Sequence, residues 1–239
     1  MTLLRAALAA GAPVESVFVG AGGRADAEVV TILEEALGRG ARVFDLAPGV
    51  LERVADTVTP QPLLAVAAMP AATLAALPAD PFVVLCADVR DPGNAGAVIR
   101  VADAAGADAV VCATGTVDPF NPKTVRASAG SVLHLPVVVA DEPPAAVLGD
   151  LGHRGLVRVA AVARGGTPYT EAPLETPLAL VFGNEAHGVP APLGEVLDGA
   201  VTIPLAGGAE SLNVSTAAAV LCFEVARRRS NLHAMRGAR

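Results

Sequence analysis

The chain has 239 residues, of which 53% are hydrophobic and 17% are charged, and this composition excludes a disordered protein. Its length fits one large α/β domain or two small ones. No run of about 18 apolar residues occurs, which argues against a membrane span. The first residues lack a basic region followed by a long apolar stretch, which argues against a secretory signal. We therefore expect a cytoplasmic protein.

The charged and special residues narrow the class further. A net charge of −7 argues against a nucleic-acid partner, although arginines crowd the C-terminus at residues 227–229 and total charge does not fix local charge. An aromatic content of 3% argues against RNA binding by rows of stacked rings. Cys86, Cys112 and Cys222 lie in apolar runs, so we expect buried free thiols. The histidines are far apart, and we expect no metal site.

Helix-like and strand-like segments alternate along the whole chain, which indicates an α/β fold with a mainly parallel sheet. We predict a first domain over residues 1–70, a linker rich in Ala and Pro over 71–80, and a second domain over 81–239. In the first domain we expect helices at 2–10, 26–40 and 51–56 and strands at 14–19, 41–46 and 62–69. In the second we expect strands at 81–89, 107–114, 135–140, 156–163, 177–183 and 200–205, and helices at 95–106, 121–130, 143–152 and 214–229.

The first candidate motif is a glycine-rich turn at residues 20–25, GAGGRA, which follows a strand and opens a helix. It matches the dinucleotide-binding pattern, and Asp45 ends the next strand about twenty residues later. Such turns are common between strands and helices, and nothing downstream resembles hydride-transfer chemistry. We keep an NAD-dependent oxidoreductase as an alternative only.

The second motif is DPGNAGAVIRVADAAGA, residues 91–107, in which Asn94 is expected to cap a helix. Arg100 lies within this apolar helix, where a guanidinium needs a partner. A structural salt bridge to Asp103 or Asp88 is the alternative to a functional role.

In two further motifs, polar residues follow the end of an apolar strand. In VFGNEAHGV, residues 181–189, an apolar strand is followed at once by an amide and a carboxylate, and ligands sit at the carboxyl ends of parallel strands. His187 is a candidate base there, although a loop histidine is more often solvated. In residues 203–229, a strand stops at Gly-Gly, and Ser211 and Asn213 precede an apolar helix that they could equally cap.

In this order and spacing, these three segments resemble the motifs of the SpoU (TrmH-like) branch of the SPOUT RNA methyltransferases. The resemblance covers about residues 82–230 and implies a parallel sheet whose C-terminal stretch forms a trefoil knot, an exception to the rule against knots. Residues 1–70 resemble the L30e-like substrate-binding domain often attached in this family. Here that domain starts at a helix, without the usual leading strand and helix, and we expect it to be truncated at its start.

The resemblance also implies the activity: methyl transfer from S-adenosylmethionine to a ribose 2′-hydroxyl of structured RNA, by a homodimer, with ribosomal RNA favoured over transfer RNA. It assigns catalysis to Arg100, Asn94, Glu185, Ser211 and Asn213. It assigns cofactor binding to Ala160, Gly183, Asn184, Glu185, Ile203, Leu205, Ser211, Leu212 and Asn213. The first-domain arginines expected to bind RNA are Arg5, Arg24, Arg39, Arg42 and Arg53.

The chemistry of this reaction suits a cationic Arg100. A ribose hydroxyl is almost fully protonated at neutral pH, so the enzyme must place it in line with the methyl group and ease loss of its proton. Because an arginine pKa above about 12 makes a neutral side chain improbable, we expect Arg100 to stabilise the developing alkoxide or grip the adjacent phosphate. A non-catalytic RNA-binding protein with the same fold is the second alternative.

Overall fold

The computed structural model describes residues 1–55, 60–175 and 177–237 and divides the chain into two compact units, Met1–Pro70 and Ala71–Arg239. The segment 71–80, predicted as a linker, lies in the second unit, where Ala72, Leu74 and Leu77 pack against one hydrophobic cluster. Among the described residues, no helix is long and apolar enough to cross a membrane.

The first unit is a three-stranded sheet with helices on one face. Its elements are α1 (Thr2–Ala9), β1 (Val14–Val19), α2 (Ala27–Gly38), β2 (Arg42–Asp45), α3 (Val50–Val54) and β3 (Leu63–Ala67). The strand order is β2-β1-β3, with β1 parallel to β2 and antiparallel to β3. Val17 and Val19 of β1 join Ile32 and Leu33 of α2 in one buried cluster, because alternate strand residues face the helices. Helix α2 begins at Asp26, whose carboxylate accepts from the Glu28 amide at 2.8 Å.

The glycine-rich turn of this unit is joined to the end of β2 by an ion pair. Gly22 has φ of +77°, a conformation that favours glycine. Arg24 donates from Nε and from Nη2 to the two carboxylate oxygens of Asp45, at 2.7 and 3.1 Å. Asp45 is the residue that a dinucleotide site would use for its ribose. Because an arginine of the same turn occupies it, the structure gives the NAD alternative no support.

The second unit is built on a sheet of seven strands. Its strands are β4 (Phe82–Cys86), β5 (Ala109–Cys112), β6 (Val137–Val139), β7 (Val157–Ala161), β8 (Thr167–Pro168), β9 (Leu178–Phe182) and β10 (Gly199–Thr202). Its α-helices are α4 (Pro92–Ala104), α5 (Pro122–Ala127), α6 (Pro144–His153) and α7 (Val214–Gly237). Short 3₁₀ helices span Leu74–Ala76, Ser131–Leu133 and Ala191–Val196.

All neighbours in this sheet are parallel, in the order β6-β5-β4-β9-β7-β10-β8. The central strands β4 and β9 are buried along their whole length, as continuous apolar strands of a covered parallel sheet should be. Val84 lies in the cluster that includes Ile99 of α4 and Leu221 of α7, whereas Val83 lies in the cluster that includes Leu148 of α6. Helices therefore cover both faces, and the predicted α/β class is confirmed. The trefoil knot stays a prediction from the family resemblance.

The cysteines are free and buried, as the sequence predicts. Cys86 and Cys112 lie opposite each other at the ends of β4 and β5. A side-chain hydrogen bond from the Cys86 thiol to Cys112, together with burial, raises the pKa of Cys86 well above its usual range. Burial raises the pKa of Cys222 to about 12. All three thiols serve as small core residues.

The arginines at residues 227–229 are neutralised rather than available as a basic cluster. Arg227 and Arg228 both bind Glu224, whose carboxylate is 9% exposed, and Arg229 pairs with Asp108 at 3.2 Å. Hydrogen bonds from Arg227 and Arg228, which outweigh burial, lower the pKa of Glu224 to about 2. Arg228 also donates to the carbonyl oxygens of residues 169, 170 and 172 and so ties α7 to the loop after β8.

Candidate active site

A cavity of about 640 Å³ opens at the carboxyl ends of β7, β9 and β10. It has the size of a small-molecule site and lies where parallel sheets bind ligands. Its walls come from four late segments of the chain: residues 161–163, 182–189, 201–205 and 211–221. Phe182, Val201 and Leu221 make part of the surface apolar, whereas Glu185, His187 and Ser211 make part of it polar.

The N-terminus of α4 is capped differently from the prediction. Asp91, not Asn94, is the N-cap: its carboxylate accepts from the Asn94 backbone amide at 2.8 Å, and Pro92 fills the first helical position. The expectation that Asn94 caps this helix was therefore wrong. Because the cap is supplied by Asp91, the side chain of Asn94 is free to bond outside its own helix.

Asn94 joins the three sequence motifs in one hydrogen-bond network. Its Nδ2 donates to Glu185 Oε1 at 3.0 Å, and its Oδ1 accepts from Asn213 Nδ2 at 2.9 Å. The Asp91 amide also points at Glu185 Oε1, at 3.4 Å. Glu185 and Asn213 are 91 and 119 positions from Asn94 in the sequence. Both nevertheless contact it, beside the cavity that they line.

Asn213 caps α7 and also forms a hydrogen bond outside its own helix. Its Oδ1 accepts from the Ser215 amide at 2.8 Å and from the Ser215 hydroxyl at 2.6 Å, which caps the start of α7. Its Nδ2 is the donor to Asn94. The cap therefore fixes the amide plane that faces the active site. Ser211 is exposed and lies on the cavity wall without capping the helix.

The loop after β9 is organised by Asn184. Backbone hydrogen bonds join Asn184 and Gly188 in both directions, at 2.9 and 2.8 Å, and Asn184 Oδ1 accepts from the amides of Ala186 and His187. His187 Nδ1 lies 3.2 Å from the same oxygen. These bonds close the loop tightly, so that Glu185 is held towards Asn94.

Gly183 lies where the loop folds back on itself. A Cβ atom at this position would lie 2.3 Å from the Gly188 carbonyl oxygen and 2.4 Å from the Val189 nitrogen. Backbone atoms cannot yield as a flexible side chain can, so only glycine fits. The cavity wall at Gly183 is therefore bare backbone.

Asp88 supports the loop that carries Glu185, a role that the sequence analysis, which considered it only as a partner of Arg100, did not predict. It follows β4 with φ of +71°, although it is not glycine. Its carboxylate accepts from Asn184 Nδ2 at 3.1 Å and from Arg90 Nε at 2.7 Å, and its carbonyl oxygen accepts from Asn184 as well. Asp88 thus connects the turn before α4 to the loop that carries Glu185. The signal available in the sequence was its position, a carboxylate directly after a buried strand.

Arg100 stands apart from this network. It is exposed, forms no ion pair or hydrogen bond within the described part of the chain, and is not on the cavity wall. The alternative of a salt bridge to Asp103 or Asp88 was therefore wrong, because Asp88 pairs with Arg90.

The predicted cofactor residues mostly meet at the cavity. Lining residues among them are Gly183, Asn184, Glu185, Ile203, Leu205, Ser211, Leu212 and Asn213. Ala160 does not line it: this residue is 2% exposed within β7, and residues 161–163 form the wall instead. Within the described residues, no group of His, Cys, Asp and Glu could hold a metal ion.

Of the five first-unit arginines expected to bind RNA, three form ion pairs with carboxylates and two have other contacts. Arg5, Arg24 and Arg39 pair with Glu28, Asp45 and Glu35, at 3.2, 2.7 and 3.0 Å. Arg42 lies 5.9 Å from the centre of the Phe44 ring, and Arg53 donates to the carbonyl oxygen of residue 49. RNA binding by these five residues stays a prediction.

Two family models match the chain, one for each unit. Residues 81–223 match the SpoU rRNA Methylase family, and residues 1–72 match the RNA 2′-O ribose methyltransferase substrate-binding family. The 23S rRNA (guanosine(2553)-2′-O)-methyltransferase RlmP of Bacillus subtilis is 41% identical over 189 residues, which is 79% of this chain and 74% of that protein. The 23S rRNA (uridine(2479)-2′-O)-methyltransferase of Streptomyces viridochromogenes is 33% identical, over 77% of this chain and 67% of that protein.

Solved structures agree with these relatives. The SpoU methyltransferase AviRb from Streptomyces viridochromogenes, in complex with AdoMet, superposes with a TM-score of 0.81 at 29% identity, covering 95% of this chain and 88% of that one. The AdoMet-bound rRNA methyltransferase from Sinorhizobium meliloti gives 0.79 at 28% identity, covering 95% and 85%. One hydrogen-bond network thus joins the three motifs beside the cavity, in a fold shared with AdoMet-bound methyltransferases, and the chain belongs to the SpoU rRNA methylase family.

Proposed function

We propose that this protein transfers a methyl group from S-adenosylmethionine to a ribose 2′-hydroxyl of ribosomal RNA. The observation that carries the proposal is the Glu185–Asn94–Asn213 network, which brings the three family motifs together beside the cavity that Glu185 and Asn213 line. Ribosomal RNA is favoured over transfer RNA because the relatives compared above are named as 23S rRNA methyltransferases.

The cavity residues fit the cofactor. Gly183, with no room for a Cβ, leaves backbone at the wall, and the apolar side chains of Ile203, Leu205 and Leu221 suit an adenine ring. The Glu185 carboxylate gives the same wall a negative charge, which complements a sulfonium. When bound, S-adenosylmethionine supplies an electrophilic methyl group on positively charged sulfur.

The side chains around the cavity would orient the ribose. The side-chain amide of Asn94 is held at both ends, its nitrogen by Glu185 and its oxygen by Asn213, so the orientation of the amide is fixed. Such fixed dipoles are effective in catalysis because they need no reorganisation during the reaction. Arg100 would stabilise negative charge as the hydroxyl loses its proton, or hold the neighbouring phosphate, because no carboxylate within the described residues neutralises it.

The first test is calorimetric titration with S-adenosylhomocysteine, with NAD as the control ligand. Binding of the homocysteine compound alone is expected. Transfer of tritiated methyl groups to in vitro transcribed 23S rRNA, followed by nuclease digestion to the 2′-O-methylated nucleoside, then tests the reaction. Binding of NAD instead, or a base-methylated product, would refute the proposal.

Arg100→Lys tests the role of the arginine. The lysine keeps the charge but loses the planar pair of donors, so we expect the rate of methyl transfer to fall by at least tenfold while S-adenosylhomocysteine binding is unchanged. Full activity in this variant would rule out planar recognition by Arg100.

The protein is further proposed to act as a cytoplasmic homodimer. Phe223 of α7 is a large apolar side chain that is 52% exposed. A second copy of the chain, packed on α7, would cover this side chain. Analytical ultracentrifugation of the wild-type chain and of Phe223→Glu tests this: a dimer that becomes monomeric in the variant is expected, and a monomeric wild type would contradict it.

A further inference from the structure

Most cations of the second unit whose side chains the structure describes are neutralised by carboxylates. Arg90, Arg154, Arg158, Arg227, Arg228 and Arg229 all form ion pairs. Among the cations of this unit up to residue 230, four side chains carry no ion pair with a described residue: Arg100, Lys123, Arg126 and Arg164. In a chain of net charge −7, unneutralised cations are the residues able to attract a polyanion.

Three of these four cations lie on two helices that touch. Helix α5 packs against α4 at Gly96, where an added Cβ would be 2.5 Å from Ala127 Cβ and 2.5 Å from the Thr124 carbonyl oxygen. Arg100 follows Gly96 by four residues on α4, and Lys123 precedes Ala127 by four residues on α5, so each exposed cation lies one helical turn from the point at which the helices meet. The glycine therefore lets the two backbones approach, and the three cations lie on two helices that are in direct contact.

Helix α5 is held firmly, although it is short. Asn121 caps it by accepting from the Lys123 amide at 2.9 Å, and the Ser128 hydroxyl donates to the Val125 carbonyl oxygen at 2.8 Å. Lys123 and Arg126 are exposed, and Lys123 is the single lysine of the chain. The helix thus presents two solvated cations from a rigid base.

We propose that Arg100, Lys123 and Arg126 form an RNA-phosphate-binding surface, which grips the backbone next to the target nucleotide. The inference rests on the proposed function and locates RNA affinity on the methyltransferase unit, in contrast to the first-unit arginines, of which three are paired with carboxylates. Arg100 links this surface to the reaction, because the proposed function assigns it the charge on the ribose oxygen or the neighbouring phosphate and it lies on α4, against which α5 packs.

The test is the salt dependence of RNA binding by Lys123→Ala/Arg126→Ala, compared with the matched double variant Arg5→Ala/Arg39→Ala. Filter binding of labelled, in vitro transcribed 23S rRNA is measured between about 50 and 200 mM KCl. Each lost phosphate contact should lower the slope of log K against log [salt] by about 0.7 to 0.9. Two lost contacts change the slope by about 1.4 to 1.8, which corresponds to roughly 25- to 60-fold weaker binding at about 0.1 M salt.

The matched variant removes the same charge from arginines that carboxylates already neutralise, so its slope should change by less than half as much. Lys123→Arg/Arg126→Lys should restore the wild-type slope, and S-adenosylhomocysteine affinity should be unchanged in every variant. An unchanged slope in Lys123→Ala/Arg126→Ala, or no salt-dependent RNA binding by the wild type, would overturn the proposal. Wild-type RNA binding without methyl transfer would instead contradict the proposed function, since binding is read without turnover.

Discussion

The backbone of Asp88, beside the candidate active site, has a strained conformation whose cost in unfolding free energy can be measured with variants. Its φ of +71° is costly for a residue with a side chain, by roughly 1–2 kcal/mol, although aspartate tolerates it better than most. The strained conformation is fixed from three sides. Its amide donates to the Thr116 hydroxyl at 3.1 Å, its carboxylate binds Asn184 and Arg90, and Gly115 lies directly against it.

Replacing Asp88 by Ala and by Gly separates strain from lost contacts. Both variants lose the hydrogen bond from Asn184, worth about 1 kcal/mol, and the ion pair with Arg90, which contributes little because Arg90 is 72% exposed. Only Ala retains the left-handed strain. We expect Asp88→Gly to be more stable than Asp88→Ala by about 1 kcal/mol, the usual cost of Ala where φ is positive. Asp88→Asn, which keeps an acceptor for Asn184, should be the least affected.

The chain contains a built-in probe for this experiment. It has no Trp and one Tyr, Tyr169, which packs against the core of the second unit. Urea unfolding followed by tyrosine fluorescence therefore reports on the unit that contains Asp88, and the free energies come from linear extrapolation. Methyl-transfer rates should fall in both Asp88→Gly and Asp88→Ala, since Asn184 and the loop carrying Glu185 lose a support.

Equal stability of the two variants, or a more stable Asp88→Ala, would refute the assignment of strain to this residue. A wild-type rate in Asp88→Ala would refute its connection to the active site. The two readouts are independent, so either part of the reasoning can fail alone.

Three other results are expected. In a double-mutant cycle, Asn94→Ala and Asn213→Ala should couple by about 1 kcal/mol in methyl-transfer rate, because their side chains bond directly; additive effects would contradict the network. Gly183→Ala should abolish S-adenosylhomocysteine binding in calorimetry, whereas Gly194→Ala, with open space around it, should not; wild-type affinity in the first variant would show that the loop can yield. The Glu224 carboxylate, with its pKa lowered to about 2 in the folded chain, contributes stability that is complete above its unfolded pKa of 4.5 and is lost as pH falls towards 2. The melting temperature of Glu224→Gln should therefore approach that of the wild type as the pH is lowered through this window, and a constant difference would contradict the ion pairs.

The sequence predicts elements well where local pattern decides them. The run FVVLC becomes β4 and the run LALVF becomes β9, since continuous apolar strands occur in covered parallel sheets. The strand Thr167–Pro168 was missed because two residues carry no periodicity, and its pairing with β10 is a tertiary contact. The segment at 71–80 was read as a linker from its Ala and Pro content, which does not reveal that Leu74 and Leu77 pack on a core.

The candidate site shows the same limit at the level of side chains. The motifs identify Asn94, Glu185 and Asn213, but the bonds among them cross 91 and 119 positions of sequence and follow only from the fold. The sequence alone favours Asn94 as a cap as much as Asp91, because both are good capping residues, and the proline at position 92 decides in favour of Asp91. The pairing of Arg5, Arg24 and Arg39 with carboxylates could not be inferred, since Asp45 lies 21 positions from Arg24.

The strand order has a consequence for how the chain is made. In the second unit β9 lies between β4 and β7, and β10 lies between β7 and β8, so strands made late separate strands made early. While a ribosome is still translating, β4 and β7 each present an edge that has no neighbour yet, and such edges favour aggregation. The sheet is complete only when residues up to Thr202 have emerged from the ribosome. The cavity is complete only when the first turns of α7 have also emerged. Cofactor capture must therefore be among the last events in the biogenesis of this enzyme.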